Sequence, residues 1–295
     1  MKYNLGRKEE IVMNKLECII QVIDYIENHL NEKLTLSSIA VEIGYSKYHL
    51  HRMFTDVVGI TIHDYVQRRQ LSEAAELLVF SKKSILEISL IAGYESQQAF
   101  TTIFKQMYKK TPNEYRTNKE FYPLQLRFSL NEKLYRPLLD NIKTKIILAK
   151  LSDIPLWLDL VNLIIDGFPN LKEKEYLEIL KKAIIEKQAL ILKDRGFAIA
   201  VMIICFETNS IDFFGVHPLY RKLGIEKLFL DKLMNEILID KEISITTFRE
   251  GDKADPGYRK VYKELGFAQA ELLIEFGYPT QKFILSPQSK GDINE

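Results

Sequence analysis

Cysteine is scarce. The 295 residues hold two, Cys18 and Cys205, alone and far apart. A disulfide scaffold needs several at close spacings, so that class is excluded, and free thiols in a reducing cytoplasm are the expectation. Long apolar runs are missing as well. The longest, Phe197 to Phe206, falls short of the ~18 residues of a membrane-spanning helix, so no membrane is expected as a partner. The stretch M-K-Y-N-L-G-R-K-E-E at the amino terminus is charged and has no apolar core, unlike a secretory leader. No HExxH, CxxC or GxSxG occurs, which leaves zincin, zinc-ribbon and hydrolase chemistry without support and no metal expected. An excess of one charge sign is also absent: 41 Lys and Arg stand against 40 Asp and Glu, a net +1. Bulk charge therefore names no partner. What remains is a chain 46% hydrophobic and 27% charged, the make-up of a packed globular protein with length for about two domains.

The first third repeats itself. I-A-V-E-I-G-Y-S-K-Y-H-L-H-R-M-F, Ile39 to Phe54, is echoed by I-S-L-I-A-G-Y-E-S-Q-Q-A-F-T-T-I-F, Ile88 to Phe104, with Glu95 inserted. Each unit has the logic of a helix-turn-helix. Gly44 and Gly93 supply the positive φ that ends a first helix, and Ser46 and Ser96 are placed to cap a second. In the second helices Leu50, Met53 and Phe54 share one face, as do Phe100, Ile103, Phe104 and Met107. The opposite faces carry Lys47, Tyr48, His51 and Arg52 in one helix, and Gln97, Gln98, Thr101, Thr102 and Lys105 in the other. Such donors and amides read base edges or grip phosphates. Ile43 to Thr55 holds two basic residues and no acid, and Ser96 to Asn113 three lysines and no acid, while acids gather in Glu9 to Glu32, which is an electrostatic footprint for a duplex. Ile62 to Phe80 reads as one connecting helix, spanning roughly 28 Å at ~1.5 Å per residue. That suits two readers entering successive major grooves ~34 Å apart. Arg68, Arg69, Lys105 and Lys109 are expected on phosphates. His49 and His51, two apart on a helix, point in different directions and do not pair on a metal.

From about Leu16 to Arg116 the chain resembles the AraC/XylS family of bacterial transcription regulators. The resemblance rests on D-Y-I-E-N-H-L, L-T-L-S-S-I-A, G-Y-S-K-Y-H-L-H-R-M-F, R-R-Q-L-S-E-A-A, G-Y-E-S-Q-Q-A-F, F-K and T-P-N-E-Y-R. It implies seven helices and two helix-turn-helix units, with Tyr48, His51 and Arg52 facing one groove and Gln97, Gln98 and Thr102 the next. Thr102 departs from the family, where an arginine is common.

Thr117 to Lys133 changes texture. Leu124, Leu126, Phe128 and Leu130 alternate with Gln125, Arg127 and Ser129, a strand pattern. Two readings stay open: an edge strand docking on a second domain, or an ordered linker. From Lys145 onward strands interleave with helices. They include a helix from Asp153 through Gly167, another from Leu171 to Lys187, a hairpin around Asp-Arg-Gly, a strand Ser210 to Val216, and helices Leu219 to Asp240 and Gly257 to Leu265. Strands Ala268 to Phe276 and Gln281 to Leu285 close an α/β domain on a mixed sheet. The expected layout is an all-α tandem helix-turn-helix domain over 1–116, a linker over 117–143 and an α/β domain over 144–295.

V-H-P-L-Y-R-K-L-G-I-E, Val216 to Glu226, stands between a strand and a helix. Unpaired N–H groups of a first helical turn favour an anion, Arg221 adds a charge-assisted bond, and Gly224 permits close approach. With V-Y-K-E-L-G-F, Val261 to Phe267, the stretch resembles the GNAT N-acetyltransferase superfamily over roughly Lys145 to Leu285. The resemblance implies an acyl-CoA, with acetyl-CoA as cofactor. Its pyrophosphate would rest on the N–H groups of Arg221, Lys222, Leu223, Gly224 and Ile225, in a splayed cleft beside Phe214, Gly215 and Val216. It also implies Tyr262 as general acid. The family pattern is Q/R-x-x-G-x-G/A, and Glu226 breaks it. A carboxylate ~5 Å from a phosphate charge costs on the order of 3 kcal/mol at an effective dielectric near 20, against ~0.3–1 kcal/mol from the helix dipole. Such a site needs Glu226 turned away, and Lys222 stands four residues earlier to draw it aside. Asp212 is the one carboxylate on the adjoining strand; Glu250, Asp252 and Asp255 form an acidic loop; Trp157, Phe168 and Tyr176 line either an acceptor pocket or a core.

The function expected is a cytoplasmic, sequence-specific regulator that binds double-stranded DNA, whose second domain senses an acyl-CoA or small-molecule effector or mediates a homodimer. The alternative is an active acetyl-CoA-dependent N-acetyltransferase that carries its own DNA-binding domain. A third reading is an interaction module that has lost its ligands.

Overall fold

The computed structural model describes residues 2–129, 145–164, 173–194, 196–275 and 277–287, with the side chains of 2–14, 173, 174 and 222 left aside. The chain divides into two compact units, one made mostly of residues before 144 and the other mostly of residues after.

The first unit is helical: α1 (Lys2–Asn28), α2 (Leu36–Ile43), α3 (Lys47–Val58), α4 (Ile62–Phe80), α5 (Ile85–Ile91), α6 (Gln97–Tyr108) and α7 (Pro112–Asn118). Local chemistry starts each helix after the first. Thr35, Ser46, Thr61, Ser84, Ser96 and Thr111 all stand one residue ahead of a helix, and each hydroxyl accepts from the N–H three residues on. Each such cap is worth ~0.5–2 kcal/mol. The helices α2–α3 and α5–α6 form the two expected helix-turn-helix units. At the second turn Gly93 has φ +76°, and a Cβ there would lie 2.7 Å from Gln70 Nε2 and 3.0 Å from the carbonyl oxygen of Glu32. Only glycine lets that turn press so closely against α4 and the turn that follows α1. The inward faces are as the spacing demands, with Leu50, Phe54, Phe100 and Phe104 fully buried. Each buried side chain of this size contributes roughly 1.5–3 kcal/mol.

The alternating stretch after α7 forms no strand. After a left-handed Lys119, residues 120–129 run across the first unit without regular secondary structure, with Tyr122, Leu124, Gln125 and Phe128 buried. Side chains take the place of a β partner. Ser72 Oγ accepts from the N–H of Leu124 at 2.9 Å and of Gln125 at 3.1 Å. Tyr65 Oη accepts from Phe128 N–H at 3.1 Å. The hydroxyls of Tyr108 and Tyr115 both donate to the Tyr122 carbonyl at 3.2 Å. Buried backbone groups must find partners somewhere, and here they find them in helix side chains.

The second unit is built on a seven-stranded sheet in the order β1-β2-β3-β4-β5-β7-β6. Its strands are β1 (Ile147–Leu148), β2 (Ala189–Asp194), β3 (Phe197–Cys205), β4 (Ser210–Val216), β5 (Ile243–Phe248), β6 (Ala268–Glu275) and β7 (Tyr278–Leu285), and the helices that follow residue 144 in the chain are α8 (Ile154–Ile164), α9 (Glu173–Ile185), α10 (Ile225–Lys232) and α11 (Tyr258–Glu264). The apolar run at β3 lies mid-sheet and is buried from Ala198 through Ile204, as a strand covered on both faces must be. All pairings are antiparallel except β4 with β5. That parallel pair meets only at Ser210–Ser244 and Ile211–Ile245, so the rest of β4 and β5 carries no mutual ladder. Trp157 and Tyr176 are buried, with Trp157 Nε1 donating to Tyr176 Oη at 2.7 Å. They belong to the core, and Phe168 lies outside the described residues.

The expected helix from Leu219 to Asp240 is broken. Pro218–Leu223 is a 3-10 turn, Gly224 is left-handed at φ 72°, α10 starts at Ile225, and Leu233–Ile237 is a π-turn. Among the described residues no helix is long and apolar enough to cross a membrane.

Candidate nucleic-acid interface and anion loop

The capped starts of α3 and α6 fix which side chains face outward. Lys47, Tyr48, His51 and Arg52 are exposed on α3. Tyr48 is 76% exposed, and the Arg52 guanidinium sits 5.7 Å over its ring. Stacking of this kind steadies a guanidinium without using its hydrogen-bonding edge, which stays available for the O6 and N7 of a guanine. On α6, Gln97, Gln98, Thr102 and Lys105 are exposed and Thr101 half-buried. The Thr102 hydroxyl donates to the Gln98 carbonyl at 3.0 Å. Its proton is committed to its own helix, so toward a base it offers lone pairs. Lys109 ends α6 in a left-handed conformation, and its Nζ donates to the Gln106 carbonyl at 2.6 Å.

Two expected phosphate contacts are corrected. Arg68 and Arg69 are 2% and 7% exposed and face inward from α4. Arg68 Nη1 donates to the Leu124 carbonyl at 3.5 Å and Arg69 Nη1 to the Gln125 carbonyl at 3.2 Å. Arg69 also clasps Glu27 and reaches Glu73 at 2.8 Å. Burial works against its charge, and these carboxylates outweigh burial, so the guanidinium stays protonated. Both arginines hold the extended segment in place of a phosphate.

In the second unit, β4 delivers Phe214, Gly215 and Val216 into the loop. Phe214 is half-buried against the Phe229 ring, while Gly215 and Val216 are buried. His217 follows, 3% exposed, its Nδ1 accepting from Leu219 N–H at 3.2 Å. Burial, with Arg221 nearby, pushes its pKa down to about 3, so it is neutral. Its Nε2 has no hydrogen-bond partner among the described residues. Arg221 Nε donates back to the Val216 carbonyl at 3.4 Å. Because α10 starts at Ile225, the free N–H groups of a first turn begin there, later than expected. Leu223 and Gly224 are exposed and Ile225 is buried. Glu226 is half-buried in that same turn. Burial raises its carboxyl pKa, and its own backbone N–H and Arg221 pull the other way. An acid in a first turn is itself a favourable partner for the helix dipole. The Lys222 side chain lies outside the described residues, so a pairing with Glu226 is not part of the geometry.

Tyr262 is 8% exposed, with its ring among those of Tyr258, Phe267 and Phe283. The acidic loop is used structurally: Asp255 accepts from the N–H groups of Gly257 and Tyr258 at the start of α11, and Asp252 accepts from Ala254 N–H and Tyr278 Oη. Asp212 is exposed.

Comparison with known proteins bears on the first unit. A family model described as a helix-turn-helix domain matches residues 39–118. The Tn10 transposon TetD protein of Escherichia coli is 43% identical over 101 residues, which make up 34% of this chain and 73% of that protein. The right origin-binding protein of Escherichia coli K12 is 38% identical over 115 residues, 39% of this chain and 40% of that protein. The chain thus matches about two fifths of the length of that second relative. A solved GNAT-family acetyltransferase from Bacillus cereus covers 48% of this chain and 96% of its own at 16% identity, with a TM-score of 0.38. So low a score carries no argument about the second unit. With both reader helices, α3 and α6, inside the matched model and a relative aligned over most of its length, the chain belongs to the AraC family of helix-turn-helix transcription regulators.

Proposed function

We propose that this protein is a sequence-specific, duplex-DNA-binding transcription regulator whose second unit senses a small ligand or mediates a dimer. The observation that carries the DNA reading is the pair of matched reader helices. The helices α3 and α6 are each capped by a serine, buried on their apolar face, and exposed at Lys47, Tyr48, His51 and Arg52 and at Gln97, Gln98, Thr102 and Lys105. In this reading Lys47, Tyr48, His51 and Arg52 address one major groove and Gln97, Gln98, Thr101 and Thr102 the next, while Lys105 and Lys109 lie along phosphates. The test is fluorescence anisotropy on duplex selected by the wild-type chain from a random-sequence pool. Binding no tighter than to bulk competitor DNA would end the proposal.

For the second unit, a GNAT-like domain is supported by the element order, by V-H-P-L-Y-R-K-L-G-I, and by β4 and β5 meeting only at their first residues. Acetyl-CoA fits that frame poorly. Glu226 places a half-buried carboxylate in the turn of α10 where a pyrophosphate would rest, and Tyr262 is packed among aromatic rings. Sensing or dimerisation is therefore favoured over acetyl transfer. Calorimetry with acetyl-CoA on wild type and Glu226→Gly separates the readings. Heat only with Glu226→Gly supports a site closed by the carboxylate. Thiol release by the wild type over a panel of amines would restore the enzyme.

A further inference from the structure

The extended segment Tyr122–Phe128 is more than a tether. It begins against α6 and α7, where Tyr122 N–H donates to Tyr115 Oη at 3.0 Å and the Tyr122 carbonyl accepts from Tyr108 and Tyr115. Its middle lies on α4, where Ser72 Oγ takes two successive N–H groups and Arg68 and Arg69 take the two matching carbonyls. Its end reaches Tyr65 of α4, whose hydroxyl donates onward to Glu27 of α1 at 2.7 Å. The segment therefore bridges the connecting helix to the second reader, α6, and to the helix that follows it. The bonds named run to α4, α6 and α7. The first reader, α3, has its own buried Leu50, Phe54 and Val57, and meets the strap's anchor only through the Phe54 ring, edge-on to Tyr65 at 5.6 Å, among the contacts described.

We propose that this strap is a positioning element for the second reader: it sets the pose of α6 relative to α4, with Ser72 and Phe128 as its positioning residues. The inference rests on the DNA-binding reading above. Its physical basis is satisfaction of buried polar groups. With the strap seated, a buried serine and two buried guanidiniums are paired with backbone; displaced, they are left without those partners. A helix pair joined through such a clamp has one favoured angle, and reading two grooves at a fixed separation requires one.

The test uses the full chain and duplex selected by the wild type from a random pool, with either half-site scrambled in turn. The wild type is expected to lose tenfold or more on scrambling either half. Ser72→Ala removes the shared acceptor, and Phe128→Ala removes the terminal anchor. Both are expected to keep the first-half penalty and to lose less than threefold on scrambling the second; Phe128→Leu keeps both penalties. Thermal melts confirm that each variant is folded at the assay temperature, and Phe128→Ala serves if Ser72→Ala is not. A variant that keeps the full dependence on both halves overturns the strap, as does one that loses both equally. Wild-type protein that discriminates neither half sinks the DNA reading instead, and the strap's role with it.

Discussion

Arg69 holds Glu27 with a forked grip: its Nε lies 2.9 and 3.1 Å from the two carboxylate oxygens, and its Nη2 lies 2.8 Å from the second. Both side chains are buried, at 9% and 7% exposure. Removing one partner of such a pair leaves an uncompensated charge, at a cost of roughly 3–5 kcal/mol. Arg69→Ala is therefore expected to lower the urea midpoint steeply. Arg69→Ala combined with Glu27→Leu should recover part of the loss, because no lone charge remains. Additive losses in that cycle would show that the pair is not coupled.

On the DNA side, Arg52 and Lys105 should part company. Arg52→Ala is expected to weaken the selected duplex by ~1–3 kcal/mol and to relax preference at one base pair. Lys105→Ala should weaken all duplexes alike and reduce the salt slope by about 1. Anisotropy across a salt series reads both. Equal effects on selected and unrelated DNA for Arg52→Ala would move that residue to the phosphates.

His217 sets an acid limit on the second unit. Its folded pKa, about 3, is below its unfolded value of 6.5. The unfolded chain therefore takes up a proton that the folded chain refuses, and stability falls as pH drops from 6.5 toward 3. Between pH 6.5 and 4.5 the loss is about 2–3 kcal/mol. His217→Asn keeps an acceptor for the Leu219 N–H and cannot titrate. Its denaturation curves should be flatter over that window, and identical pH slopes in the two proteins would refute the assignment.

Gly93 should tolerate no side chain. A methyl there meets the Glu32 carbonyl and the Gln70 amide and must also adopt a positive φ. Gly93→Ala is expected to cost roughly 1–3 kcal/mol. Gly44→Ala has open space around it, so it carries only the backbone penalty and should melt at a higher temperature than Gly93→Ala.

What the sequence made legible follows range. Ser46, Ser96, Gly44 and the apolar faces of α3 and α6 act within a few residues, and the structure has them as the spacing implies. Arg68 and Arg69 misled because their partners are remote: Glu27 is 42 residues before Arg69, and the strap carbonyls lie 56 residues after the arginines that hold them. The strap itself imitated a strand because an extended chain pinned by side chains alternates as a β ladder does. Buried Gln125 beside buried Leu124 breaks that alternation. In the second unit, Pro218 and the residues after it looked like a helix start. Instead His217 takes the Leu219 N–H and closes a tight turn, and Gly224 resets the chain before α10.

Where the chain is cut will decide whether the amino-terminal half behaves in solution. The helix-turn-helix match stops at residue 118, yet the carbonyls that Arg68 and Arg69 grasp belong to Leu124 and Gln125. An excised fragment ending at Asn118 would bare a trough of tyrosine rings beside two guanidiniums that have lost the strap carbonyls, Arg69 keeping its carboxylates Glu27 and Glu73, and clumping is the behaviour to expect. Carrying the fragment on through Phe128 keeps the trough filled.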